Sequence, residues 1–511
     1  MAPTSPLFVT LYGIAALVAL LYFRPRRQSH VNSFPPGPKS PSMPMLDAWI
    51  QYEQWGREYG ELVYIREHNM LILNHAHVAI DLLEKCARLY LDRAMTQVMK
   101  LSGFNEVLSL EVNILACPLT KAINTRINGG ETGGFSSKIF RQSSSHRFYP
   151  AQYNKISQYL HSLITVPEEF MQHTMLLSQG LIYSALYGLD VSSEDLLYKK
   201  AIEAIAMLGR AVLESYPALE RYPWLRFTPS WFPGCGFHEI ANKFRQNMAD
   251  LGTIPFDIAV NNLKTGTGTS LIAELALESE GNPLDIKNIK AMGAVSLLAG
   301  ADTTMSSISA FLLTMVQHPD VQLKARAEID RVIGRGRLPK FEDRRSLPYV
   351  ESVYRELMVT IFLKVVTTFG PLFGVGLNML SFRMCDCPQY LVRAMSRDPN
   401  VYSEPNTFMP ERFLDSPDGP FTSINDILAF GFGRRVCVGR YMADNTVWLA
   451  IASVLATLDL QKAKDNEGNE VDLPGEYTRT FFRHPKPYQS SITPRDQQAR
   501  DLIKLATAMV D

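Results

Sequence analysis

The chain lacks an excess of charge of either sign. Its 51 basic and 51 acidic side chains cancel over 511 residues, so nothing argues for bulk nucleic-acid binding. Cysteine is also scarce. Cys86, Cys117, Cys235, Cys385, Cys387 and Cys437 are too few and too scattered for a disulfide framework, and a reducing compartment is the simpler inference. Cys385 and Cys387 lie one residue apart without a second pair, which reads as two ordinary thiols rather than a metal site. What is present is ordinary globular composition, 46% hydrophobic and 20% charged, ample for a large core.

Leu7 to Phe23 is an almost unbroken apolar run, followed at once by Arg24, Arg26 and Arg27. No basic residue precedes it, and Arg-Pro-Arg-Arg stands where a signal peptide would have small cleavage-site residues. The run is at the short end for a spanning helix, and the arginines place the remainder on the cytosolic side. Residues 1–27 are therefore expected to be a membrane anchor with a basic stop. Residues 28–38, with Pro35-Pro36-Gly37-Pro38, are expected to make a stiff linker, and residues 39–511 the main domain.

Leu62 to Ile65 and Met70 to Leu73 predict a β-hairpin, with helical spacing from Val78 to Leu89. Residues 155–265 are rich in helical period, interrupted at Ser230-Trp231-Phe232-Pro233-Gly234. Residues 284–316 predict one long helix, and a second runs from Pro319 to a stop at Gly334. Met442 to Leu460 predicts another helix, with turns and short apolar runs over 461–495 and a loose terminal helix over 496–511.

Two stretches carry chemistry. In Phe430-Gly431-Phe432-Gly433-Arg434-Arg435-Val436-Cys437-Val438-Gly439 a single cysteine sits on a glycine-rich turn ahead of an apolar helix. A thiolate there suits a haem iron, with turn N–H groups and the helix N-terminus stabilising the sulfur's negative charge. Gly433 and Gly439 allow close backbone approach and positive φ, Arg435 suits a haem propionate, and Phe430 shields the sulfur. For an arbitrary cysteine the default is a buried structural role. The second stretch is Leu298-Ala299-Gly300-Ala301-Asp302-Thr303-Thr304, an odd helix centre. Gly300 costs about 1 kcal/mol against alanine, Asp302 is charged within an apolar run, and the threonines can bond back and bend the helix. A bent core helix with Asp302 at its solvent edge is one reading. In the other, Ala299 and Gly300 open a groove while Asp302 and Thr303 handle protons.

The pattern Phe-x-x-Gly-x-Arg-x-Cys-x-Gly fills all five positions of the haem signature of the cytochrome P450 family, and Ala299 to Thr304 resembles that family's oxygen-activating helix. The resemblance implies a mainly α fold with a small β-rich lobe, preceded here by one transmembrane helix. It implies haem (heme b) bound through Cys437 and monooxygenation of an apolar substrate with O2. Electrons would come from NADPH through NADPH-cytochrome P450 reductase, for which Arg434 and Arg440 are candidate contacts. It implies an endoplasmic reticulum membrane protein with its catalytic domain in the cytosol, similar to fungal microsomal members of secondary or xenobiotic metabolism.

The resemblance fails at about 105–140 and 359–390. No tryptophan stands between Trp55 and Trp224, so the family's Trp-x-x-x-Arg is missing. Glu356 is followed three residues later by Val359 where the family's Glu-x-x-Arg has arginine, while Arg412 is expected to meet Glu356. Glu351 and Arg355 can pair on the helix surface without restoring the motif. Val365 to Phe382, apolar and broken by Gly370, Pro371, Gly374 and Gly376, reads as packed sheet rather than a second span. An intron read as coding sequence, or a catalytically silent homologue, would each explain the gaps. The intact flanking motifs favour the former. A reductase-independent isomerase or dehydratase is disfavoured by the Asp302-Thr303 pair.

Overall fold

A computed structural model describes residues 34–39, 41, 48–68, 70–87, 96–103, 139–213, 216–365, 388–390, 392–414, 419–433, 436–473, 475–478 and 483–508. The apolar run at 7–23, the segments at 104–138 and 366–387, and Arg434 and Arg435 fall outside them. The chain divides into two units, residues 1–36 and 37–511, and the described helices and strands all belong to the second.

Helix α1 (Ala48–Tyr59) leads into strands β1 (Leu62–Ile65) and β2 (Met70–Leu73). The strands form the expected hairpin, with Leu62 opposite Leu73 and Ile65 opposite Met70. Short α2 (Ala76–Ile80) follows and widens into a π-helical turn at Asp81–Lys85. Then come α3 (Tyr149–Thr165), α4 (Phe170–Ile182), α5 (Leu196–Leu213), α6 (Phe237–Thr265), α7 (Pro283–Gln317), α8 (Pro319–Val332) and α9 (Pro348–Val365). Strand β3 (Pro388–Tyr390) joins β2 in parallel. Helix α10 (Arg440–Thr457) precedes antiparallel β4 (Leu458–Lys462) and β5 (Ser490–Pro494), and α11 (Gln497–Ala508) ends the chain. The described residues are thus mainly helical with small sheets.

The long helix begins where its sequence says it should. The Asn282 side chain accepts the Leu284 N–H at 3.0 Å, Pro283 occupies the first turn, and Asp285 faces the positive end of the helix dipole. α7 runs through both large apolar clusters. Ile289 to Leu298 pack with α4 and α6, whereas Ile308 to Val316 pack with α8, α9 and α10. Each fully buried Leu or Phe contributes about 1.5–3 kcal/mol, so the helix is fixed on both sides of residues 299–303.

Two expectations are corrected at the C-terminal end. α10 stops at Thr457, not Leu460, because Leu458 turns extended and pairs with Pro494. Side chains from α8 hold that strand: the Gln322 amide exchanges hydrogen bonds with the Leu460 backbone at 3.0 Å each way, and Arg326 donates to the Leu458 carbonyl at 2.6 Å. The terminal helix is not loose. Ile503 is fully buried, and α11 packs on α3.

A buried charge network ties α9 to α10. Arg344, in the turn before α9, pairs with Glu351 at 2.7 Å and with Asp444 of α10 at 2.6 Å. Tyr354 donates to Asp444 at 2.7 Å, and Arg355 donates to Glu351 at 3.0 Å. Arg355 also donates to the Thr422 carbonyl at 2.7 Å, on the segment leading to Phe430. Glu351 and Arg355 are buried, not on the helix surface as their spacing suggested. Burial disfavours the Arg344 charge, but Asp444 and Glu351 outweigh it and raise its pKa.

Arg412 meets Glu356 at 2.8 Å, as expected, and also donates to the Thr407 carbonyl at 2.6 Å. Val359 stands half-buried one turn on. Burial pushes the Glu356 carboxyl up to about 7, against the pull of Arg412 and the Met409 N–H.

Arg344→Ala leaves the buried Asp444 without its cation and Glu351 with Arg355 alone. It is expected to cost about 3–5 kcal/mol in the denaturant midpoint, with Arg344→Lys intermediate because a lysine cannot serve two carboxylates bidentately. A loss no larger than that of an exposed-arginine control would remove the network from its structural role.

Glu356 gives a pH dependence. Its folded pKa lies above the ordinary carboxyl value, so its contribution is fully present below about 4.5 and is lost as pH rises through about 7. Relative to Glu356→Gln, the wild-type chain should lose of order 3 kcal/mol between pH 4.5 and 7.5. Urea midpoints across that range measure it, and a pH-independent difference would rule out the raised carboxyl.

Candidate active site

The cysteine loop is shaped by its own backbone. Phe430 and Phe432 are buried, and the Cys437 N–H donates to the Phe430 carbonyl at 2.8 Å, closing the loop. Gly433 has φ +60, and a Cβ there would lie 2.1 Å from the Leu83 carbonyl oxygen. Its N–H also donates to the Glu84 carboxylate at 3.3 Å. Glycine is required here by the close approach to the turn after α2. Gly439 has φ −80 rather than a positive value, and a Cβ there would meet no atom within 4 Å.

Cys437 is exposed, yet protein surrounds it closely enough that burial pushes its thiol up, against the Gly439 N–H and the Arg440 charge. The expected N–H support for a thiolate is present, from Gly439 at the start of α10. Arg440 does not stand free on the surface. It donates to the Cys437 carbonyl at 3.1 Å and lies 4.5 Å from the Tyr441 ring, bracing the loop. Arg435 falls outside the described residues.

α7 packs against α10 and shows one open stripe. Ala299 is exposed and Thr303, one turn on, is half-buried, although the helix around them is mostly buried. The Thr303 hydroxyl donates to the Ala299 carbonyl at 2.8 Å, the back-bond its composition suggested. Gly300 serves another contact. A Cβ there would lie 3.0 Å from Ile182 Cδ1 of α4, so this glycine lets two helices approach.

Asp302 is not at a solvent edge. It is buried, and its Oδ1 lies 2.9 Å from His484 Nε2. The other nitrogen of that imidazole is 3.2 Å from the Ser306 hydroxyl, which donates to the Arg483 carbonyl at 2.5 Å. Successive helix positions lie about 100° apart, so Asp302 faces the C-terminal segment while Thr303 lies on the open stripe with Ala299. Sequence reading missed His484, which carries no motif and lies 178 residues beyond Ser306.

A cleft of about 490 Å³ opens between α6, α7 and Ser102-Gly103. Phe244, Met248, Ala294 and Val295 contribute apolar walls, and Val295 is one turn before Ala299.

A family model described as Cytochrome P450 matches residues 155–359 and 389–492, more than half of the chain. The interval it skips coincides with the atypical stretch near 359–390. Cytochrome P450 monooxygenase 136 of Postia placenta is 30% identical, covering 98% of this chain and 96% of that protein. Cytochrome P450 monooxygenase COX1 of Coprinopsis cinerea is 30% identical over 92% and 93%, and cytochrome P450 monooxygenase ple1 of Rhodocybe pseudopiperita 30% identical over 96% and 95%. This near full-length likeness does not favour the silent-homologue reading. The family holds haem through a cysteine thiolate, and an exposed Cys437 with the Gly439 N–H directed at its sulfur fits that group. The chain belongs to the cytochrome P450 family of haem-thiolate monooxygenases.

Proposed function

We propose that this chain inserts one oxygen atom of O2 into a C–H bond or double bond of an apolar substrate, with electrons from NADPH delivered by a membrane-bound flavoprotein reductase. The observation that carries the reading is Cys437 on the loop before α10 with the Gly439 N–H on its sulfur, together with the open Ala299-Thr303 stripe of α7, a helix that packs against α10 elsewhere along its length. Haem held by Cys437 supplies the redox chemistry that activates dioxygen.

The chain's own residues do the rest. Phe244, Met248, Ala294 and Val295 give the cleft apolar surface for an apolar substrate, with Arg245, Lys287 and Lys290 also lining it. Thr303 donates its proton to the Ala299 carbonyl, which leaves its oxygen as an acceptor on the open stripe to hold a water. Asp302 passes protons toward that water, and it must leave His484 to do so. Phe430 shields the sulfur, and Arg435 is the proposed propionate partner.

Membrane attachment rests on two features. The apolar run at 7–23 with its arginines is the proposed single-pass anchor in the endoplasmic reticulum. The loop between α5 and α6 adds Trp224, Phe227 and Trp231, exposed at 63%, 75% and 78%. Tryptophans at such exposure suit a bilayer interface.

Reduced protein under carbon monoxide should show the red-shifted Soret band of a thiolate-ligated haem, and Cys437→Ser should lose it. Purified wild-type protein without haem would sink the proposal. Asp302→Asn should lower turnover about 100-fold or more while leaving that band in place. Unchanged turnover would remove Asp302 from the proton path.

A further inference from the structure

Outside the cysteine site, one cluster gathers metal-ligand chemistry at the edge of the β lobe. Glu61 immediately precedes β1, and its carbonyl accepts the Asn74 N–H at 2.9 Å, continuing the hairpin ladder by one residue. The chain leaving β2 then presents His75 and His77 at the start of α2. The ladder register thus brings Glu61 beside two imidazoles. His77 Nε2 lies 3.1 Å from Glu61 Oε2, and all three residues offer donor atoms within 4.8 Å of one another.

A second observation points to a ligand. His75 Nδ1 lies 3.0 Å from Asp398 Oδ2, which leaves Nε2 as that ring's ligand atom. A carboxylate on the far nitrogen is the usual partner of a metal-bound histidine, because it fixes the tautomer and the ring's aim. An ordinary surface His–Glu contact needs neither a second imidazole nor a carboxylate orienting it.

We propose that Glu61, His75 and His77 bind a divalent cation of the zinc class, with Asp398 orienting His75 and water completing the shell. Two imidazoles and one carboxylate suit zinc rather than magnesium or calcium, which prefer oxygen. Tetrahedral bonds of about 2.0–2.2 Å place ligand atoms about 3.3–3.5 Å apart. Glu61 and His77 are already near that spacing, and His75 offers its ligand atom within 4.8 Å of both.

The position gives the cation a task. α2 runs into the turn whose Leu83 carbonyl and Glu84 carboxylate meet Gly433 of the cysteine loop. Leu83, Met395 and Phe432 share one apolar cluster, and Asp398 follows Met395 closely in the chain. A cation here ties β1, α2 and the Asp398 segment together and stiffens the platform under the loop.

Calorimetric titration of ZnCl2 into chelator-treated, haem-loaded full-length protein tests this. One site is expected, weakened at least tenfold in His77→Ala and in Glu61→Gln, and about tenfold in Asp398→Asn. Zinc should raise the melting temperature of the wild-type protein and not of His77→Ala. His77 and Glu61 are exposed, so these variants should fold, and their carbon monoxide spectra check it. No binding at micromolar zinc, or binding unchanged in both His77→Ala and Glu61→Gln, would overturn the proposal.

Discussion

The structure depends most on one guanidinium held between two carboxylates away from water. Arg344 stacks within 5.2 Å of the Tyr354 ring and 5.3 Å of Trp448 while pairing with Glu351 and Asp444. Such a network is weak evidence for net stability, because desolvation offsets much of the Coulomb attraction. Its effect is on geometry. Sliding α9 along α10 by one turn would strand at least one buried charge, and that cost rejects alternative registers. Since α10 begins at the cysteine loop and Arg355 holds the segment before Phe430, the loop inherits its position from the network.

The departure at Val359 is local by comparison. Glu356 has kept Arg412, whose other N–H groups reach the Thr407, Ser403 and Glu404 carbonyls. What the missing arginine removes is neutralisation: a carboxyl this buried with one cation rises toward neutrality instead of staying a firm anion. The consequence falls on pH sensitivity rather than on connectivity, because the ties from α9 to α10 run through other residues.

Features written in local pattern are legible in the sequence. The hairpin, the capped start of α7 and the cysteine turn depend on residues within a few positions of each other. Features depending on distant partners are not. Arg344 and Asp444 are 100 residues apart, and nothing in either's surroundings names the other. The end of α10 is hidden because apolar spacing continues through Leu458 and Leu460, while the hydrogen bonds that make them a strand come from Gln322 and Arg326. Gly300 suggests a groove, and the structure gives it to Ile182. A glycine in a helix announces a close approach but not what approaches.

Asp302 shows how the two kinds of information meet. Its place beside Thr303 is local and plain in the sequence, yet its surroundings come from the far end of the chain. A carboxylate buried in an apolar helix needs a partner to offset desolvation, and His484 provides one. Thr478 fixes that histidine: its N–H donates to the His484 carbonyl at 2.8 Å, and its hydroxyl accepts the His484 N–H at 3.0 Å. The pair that makes a buried Asp302 tolerable is the pair the proposed proton path must open. Movement of the C-terminal segment that withdraws His484 therefore frees the acid, and a rigid segment holds it. Holding His484 against α7 and opening the proposed proton path are then opposing demands on one 2.9 Å contact.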